Sequence, residues 1–193
     1  SRQMPSSYFR GLNFLLNEQP DKAIESFLQV AKEHPQTVEL QFALGSLFRR
    51  QGEIDRAIRM HQNLLDRPDL PADKRQTALF ELAQDFHRAG LLDRAEEMFA
   101  KLDGTPFEHQ SLGFLLSIYE TEKDWPKAIA VTRRMEAVAK TPHFKEIAHF
   151  HCELAQDALL RTDYAAARVE IDTALAEYRA CALHPRHQRK VSS

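Results

Sequence analysis

The sequence predicts an all-α fold, a right-handed superhelical solenoid of helix–turn–helix repeats, and three observations lead to this prediction. First, an alanine in an apolar helical pattern recurs at steps of 34, 38, 33 and 39 residues: Ala23, Ala57, Ala95, Ala128 and Ala167. Second, a mostly bulky residue follows each alanine four positions later: Phe27, His61, Phe99, Thr132 and Ile171. Third, the string Glu-Leu-Ala-Gln-Asp occurs twice, from Glu81 and from Glu153. Repetition at such a period is typical of stacked helical hairpins.

A single domain over 1–193 accommodates the repeats in chain order. We expect the repeats at about 4–37, 38–71, 76–105, 106–140 and 142–181, with the start of a sixth from 184. The two longer steps coincide with the proline-containing stretches 67–73 and 140–143, which we interpret as loops between repeats. Each repeat can bury its apolar face only against its neighbours, so the array should be stable as a stack.

The second repeat shows how the elements are assigned. Leu40, Leu44 and Leu47 recur at helical spacing, and a second helical pattern starts at Ile54 after Gln51-Gly52-Glu53. Gly52 can adopt the left-handed conformation that ends a helix, and the third repeat has a glycine at the equivalent position, Gly90. In the fourth repeat the second helix is predicted to begin near Asp124-Trp125-Pro126, and the fifth repeat is predicted from its copy of the Glu-Leu-Ala-Gln-Asp string.

Composition limits the function classes. The chain has 26 Lys plus Arg against 28 Asp plus Glu, a net charge of −2, which does not favour a nucleic-acid-binding protein. The two cysteines, Cys152 and Cys181, form no CxxC motif and are predicted to be free thiols. No apolar run long enough to span a membrane and no signal peptide occur, and the chain, which starts without Met, is expected to be a fragment of a longer protein.

No catalytic or metal site is predicted. The sequence contains no GxGxxG, P-loop, GxSxG or HExxH motif. His149 and His151 are two positions apart, so on a helix they point to different faces and cannot ligate one metal ion together. The chain is therefore predicted not to be an enzyme, with no cofactor in this fragment.

A stack of hairpins does offer an inner wall made by the first helices, and residues there that are not packing positions are candidates for binding a partner. These candidates are Tyr8, Leu12, Phe42, Arg49, Arg50, Phe80, Gln84, His87, Arg88, Phe114 and Glu120. Tyr8, Phe42 and Phe80 fall in one column, and the basic residues lie one turn further along. This arrangement favours an extended peptide with acidic groups. In the alternative interpretation, the aromatic residues fill gaps between helices and the arginines are solvated.

The Leu-small-x-x-aromatic first helix and the Ala-x-x-x-Phe second helix together resemble the tetratricopeptide (TPR) family. More specific strings run through nearly the whole chain, among them Gly52-Glu-Ile-Asp-Arg-Ala-Ile-Arg-Met-His-Gln and Gly90-Leu-Leu-Asp-Arg-Ala-Glu-Glu-Met-Phe. Another is Glu146-Ile-Ala-His-Phe-His-Cys-Glu-Leu-Ala. With these strings the chain is similar to the cytoplasmic TPR region of the lipopolysaccharide assembly protein B family of Gram-negative bacteria.

The resemblance implies a regulatory adaptor with two protein partners. In that family the TPR region presents the deacetylase that commits precursors to lipid A to a membrane-anchored AAA+ protease, which degrades it. The resemblance further implies a position at the cytoplasmic face of the inner membrane, with an anchor outside this chain, and contact with other lipopolysaccharide assembly proteins. Zinc or iron would bind only in a C-terminal rubredoxin-like domain of the parent protein.

Two functional hypotheses remain open from the sequence. In the first, the repeats bind the protease, the deacetylase or another envelope-assembly protein through the inner wall. In the second, they are a generic scaffold or dimerisation platform, and recognition lies in domains outside the fragment. A homodimer is compatible with either hypothesis.

Overall fold

The computed structural model describes residues 6–16, 19–33 and 37–183, so the predicted start of a sixth repeat at 184 lies outside the described residues. Within these ranges the chain forms ten α-helices and no strand. They are α1 Ser6–Leu16, α2 Pro20–Glu33, α3 Val38–Arg50, α4 Ile54–Leu65, α5 Ala72–Arg88, α6 Leu92–Ala100, α7 Glu108–Glu122, α8 Trp125–Ala139, α9 Phe144–Leu160 and α10 Tyr164–Leu183. The predicted all-α class is confirmed.

Consecutive helices pair into hairpins within two compact units, one ending at Phe107 and the other beginning at Glu108. The first unit holds the hairpins α1–α2, α3–α4 and α5–α6, and the second holds α7–α8 and α9–α10. The alanine column is buried in all five hairpins, since these small side chains let paired helices approach closely. That the repeats form a single domain over 1–193 stays a prediction.

The two longer repeat steps share one structural feature, since the first helix after each loop, α5 or α9, extends over 17 residues. Lys140–His143 is a loop between α8 and α9, as expected. Between the second and third hairpins the loop is shorter than the predicted 67–73, because α5 already begins at Ala72 and extends over 17 residues. The additional residues therefore lengthen the first helix of the third hairpin.

The turn predicted at Gly52 and Gly90 is present at both positions. Their φ angles are +82° and +74°, and the following N–H in each case donates to a carbonyl of the preceding helix at 2.9 Å. The same turn occurs at Lys123 and Thr162, whose φ angles of +57° and +59° are also left-handed. The fold therefore imposes this helix ending even where no glycine indicates it.

The start of α8 agrees with the sequence prediction. Asp124 is its N-cap, and the Asp124 carboxylate accepts a hydrogen bond from the backbone N–H of Lys127 at 3.1 Å. Trp125 is the first residue of the helix and stacks on Phe150 of α9, with ring centroids 5.9 Å apart. The two hairpins of the second unit are joined by this stack.

Candidate partner-binding surface

The three aromatic candidates of the first unit pack within the protein. Tyr8 on α1 contacts Phe27 on α2, with ring centroids 5.7 Å apart, and both Tyr8 and Phe42 are half-buried. Phe80 on α5 is buried and stacks on Phe107 at 4.8 Å. The contacts of Phe80 favour the interpretation that this ring fills a gap between helices, since little of it is left accessible to a partner.

Arg49 lies at the junction of α3 and α5 and binds two acidic residues of α5. Its Nη1 donates to Asp85 Oδ1 at 2.7 Å and to the Glu81 carbonyl at 3.1 Å, and its Nη2 donates to Glu81 Oε2 at 2.6 Å. Burial acts to lower the pKa of Arg49, but the hydrogen bonds and charges of the two carboxylates outweigh it and raise the pKa above its ordinary value. The guanidinium is therefore permanently charged, with its charge compensated inside the protein.

His61 on α4 contacts the same Asp85 carboxylate as Arg49 does. Its Nδ1 lies 2.5 Å from Asp85 Oδ2, and both side chains are fully buried. Nδ1 therefore carries the hydrogen that the Asp85 carboxylate accepts. The imidazole packs against the backbone of Gly45, where a Cβ would lie 2.3 Å from His61 Nε2.

We call Arg49, His61, Glu81 and Asp85 the junction cluster, because it links α3, α4 and α5. Asp85 is the centre of the cluster, since one of its carboxylate oxygens accepts from the guanidinium of Arg49 and the other accepts from the imidazole of His61. Sequence reasoning missed all members but Arg49. The signals available were the histidine in a column where the neighbouring hairpins have phenylalanine, and two acidic residues four apart on α5.

The basic surface that remains accessible consists of two arginines at equivalent positions. Arg50 and Arg88 are the last residues of α3 and α5, two helices that pack together, and both are exposed. Among the described residues neither has an acidic partner. His87 adds little charge to this surface, because burial and the neighbouring Arg88 lower its pKa.

The remaining candidates are spread over both units. Leu12 on α1 is exposed, and Gln84 on α5 is half-buried, donating to the Phe80 carbonyl at 3.5 Å. Phe114 and Glu120 are half-buried and exposed, respectively, on α7 in the second unit. Their role in binding a partner stays a prediction.

The described ranges contain no group of three metal-ligating side chains. Cys152 is exposed and Cys181 buried, and both are free thiols, as predicted. None of the described helices combines the length and apolar character needed to cross a membrane.

A family model described as tetratricopeptide repeat matches residues 10–67 and 44–109. The hairpins, their buried alanine column and this match agree, and the chain belongs to the tetratricopeptide repeat family. Solved structures with this fold include MamA, at a TM-score of 0.62 and 14% identity over 93% of each chain. Another is PilW, a type IV pilus biogenesis factor, at a TM-score of 0.61 and 15% identity over 96% of this chain and 81% of that one.

Within that class the chain is similar to lipopolysaccharide assembly protein B. It is 44% identical to the protein of that name from Escherichia coli strain K12 over 164 residues, 84% of this chain and 42% of the relative. It is 34% identical to the one from Haemophilus influenzae over 81% of this chain and 42% of the relative. The resemblance found in the sequence strings is confirmed, and the chain spans about two fifths of the length of these relatives.

Proposed function

We propose that this chain is the partner-binding part of a non-enzymatic adaptor in lipopolysaccharide assembly. In this role it presents the lipid A-committing deacetylase to a membrane-anchored AAA+ protease at the cytoplasmic face of the inner membrane. The observation that carries the proposal is the 44% identity to lipopolysaccharide assembly protein B over 84% of the chain. Repeats of this class commonly bind other proteins, which supports an adaptor role.

The exposed pair Arg50 and Arg88 is the part of the predicted surface best suited to an acidic partner segment. Both guanidinium groups lie at the same end of adjacent first helices, and neither is compensated by an acidic residue among those described. Arginine binds a carboxylate through two parallel hydrogen bonds, so the pair suits a segment with two acidic side chains. Arg49 contributes less to this surface, since its charge is already compensated.

Reversing both charges should weaken partner capture. We expect Arg50→Glu combined with Arg88→Glu to reduce co-purification of the deacetylase or the protease about tenfold, since each lost exposed ion pair contributes up to about 1 kcal/mol. Lys145→Glu with Arg168→Glu is the matched control, because it changes the net charge equally at exposed positions of the second unit. Failure of the unmodified chain to capture either protein would reject the adaptor role for this chain.

A dimerisation platform is a second candidate, favoured by one stripe on α10. Ile171, Leu175 and Tyr178 follow one another at helical spacing and are 44%, 48% and 63% exposed. The residues equivalent to Ile171 in the other four hairpins are fully buried: Phe27, His61, Phe99 and Thr132. An apolar stripe of this kind suits a second copy of the chain.

Sedimentation velocity tests the platform. We expect a dimer whose dissociation constant rises at least about tenfold with Leu175→Glu, as for an apolar residue central to an interface. Val169→Glu is the control, because Val169 is exposed on a different face of the same helix. A chain that stays monomeric at every concentration would reject this candidate.

A further inference from the structure

The two carboxylates bound by Arg49 differ in their access to solvent. The Asp85 side chain is completely buried, whereas the side chains of Glu81 and Arg49 are 19% and 16% exposed. The Asp85 carboxylate cannot be displaced from the cluster, because His61 and Arg49 would both lose a hydrogen-bond acceptor in the interior. The Glu81 carboxylate lies at the edge of the cluster, where water or a ligand can replace it.

The groups that hold Glu81 form a site for a carboxylate of any origin. Glu81 Oε2 accepts from Arg49 Nη2 at 2.6 Å and from the Ser46 hydroxyl at 3.3 Å. A cationic and a neutral donor on one oxygen are a common arrangement for binding a carboxylate. Arg50 lies four residues after Ser46 on the same face of α3, so this site adjoins the exposed basic pair.

We infer that Glu81 is an internal occupant of a carboxylate-binding site, and that an acidic side chain of a bound protein segment displaces it from Arg49 and Ser46. This inference rests on the proposed function, since it adds a third cation to the surface of Arg50 and Arg88. Asp85 keeps its hydrogen bonds throughout, and only the Glu81 side chain turns into solvent. The partner it fits is a segment with several closely spaced carboxylates.

The internal carboxylate makes binding of such a segment weak. Glu81 is covalently tethered beside Arg49, so its effective concentration there is high and an external carboxylate must compete with it. Glu81→Gln removes the charge but keeps a side-chain oxygen that can accept from Arg49. A neutral acceptor holds a guanidinium less strongly than a carboxylate does, so the external carboxylate should then bind more tightly.

Fluorescence anisotropy with a labelled octa-glutamate peptide tests this inference on the full chain. We expect Glu81→Gln to lower the dissociation constant of the peptide about fivefold. The difference in free energy between a hydrogen bond to a carboxylate and one to a neutral acceptor corresponds to roughly that ratio. Adding Ser46→Ala should reverse part of the gain. Glu97→Gln is the control with the same charge change, since Glu97 is exposed on α6 and bound to Lys101. An octa-glutamine peptide should not bind.

Equal binding by the wild type, Glu81→Gln and Glu97→Gln would overturn the inference and leave Glu81 a purely structural residue. The adaptor proposal would survive that result, because it is tested separately by capture of the deacetylase and the protease. If the Glu81→Gln variant fails to fold, NMR spectroscopy of the wild type tests the inference instead. The Arg49 Nε–H resonance should shift on titration with octa-glutamate, and an unmoved resonance would overturn the inference.

Discussion

Asp85→Ala should lower the free energy of unfolding by about 3 kcal/mol. The Asp85 carboxylate is fully buried and accepts from His61 Nδ1 at 2.5 Å and from Arg49 Nη1 at 2.7 Å. Alanine would leave a buried imidazole N–H and a largely buried guanidinium without this acceptor. The loss is at the lower end for a broken buried pair, because Arg49 keeps Glu81.

Urea denaturation followed by circular dichroism measures this loss. Glu97→Ala is the matched control, because it removes a carboxylate from an exposed pair with Lys101 and should cost less than about 1 kcal/mol. Asp85→Asn should fall between the two, since the amide oxygen can still accept from one of the two donors. A midpoint for Asp85→Ala equal to that of Glu97→Ala would mean that the junction cluster does not hold α3, α4 and α5 together.

Gly45→Leu should destabilise the first unit by about 3 kcal/mol, the upper end for overpacking a buried site. A Cβ at position 45 would lie 2.3 Å from His61 Nε2 and 2.6 Å from His61 Cε1. His61 cannot move aside cheaply, because Asp85 fixes its other ring nitrogen. The added side chain must therefore push α3 away from α4.

The same substitution at Gly113 separates this clash from any general effect of removing a glycine. Gly113 lies inside α7, it is exposed, and a Cβ there would meet nothing within 4 Å. Gly113→Leu should therefore be neutral or stabilise by up to about 1 kcal/mol, since glycine is a poor helix former. Thermal unfolding of both variants provides the comparison, and equal shifts would show that His61 does not block position 45.

Much of the fold could be predicted because its signals are local or periodic. The alanine column places the second helix of every hairpin, and Gly52 and Gly90 end two first helices where the left-handed turn is found. The turns at Lys123 and Thr162 could not be found in this way, since neither residue favours a positive φ. There the packing of the flanking helices determines the backbone.

The candidate surface was predicted less well, and Arg49 shows why. The alignment of the repeats predicts both Arg49 and Arg50 on the inner wall. Sequence spacing cannot show which of these two arginines forms an ion pair with an acidic residue of another hairpin. The partners of Arg49 are 32 and 36 residues away, and a contact at that separation has no local signal. Arg50 and Arg88 are exposed, and the role of this pair in binding a partner stays a prediction.

The sequence by itself determined that this protein is an array of helical hairpins, because one apolar unit that cannot be buried alone recurs along the chain. It also showed the resemblance to lipopolysaccharide assembly protein B, through strings that run beyond the general repeat pattern. Only the tertiary structure decided which charges are available to a partner. It brings Glu81 and Asp85 to Arg49 and encloses His61, since burial and charge pairing depend on how neighbouring hairpins pack.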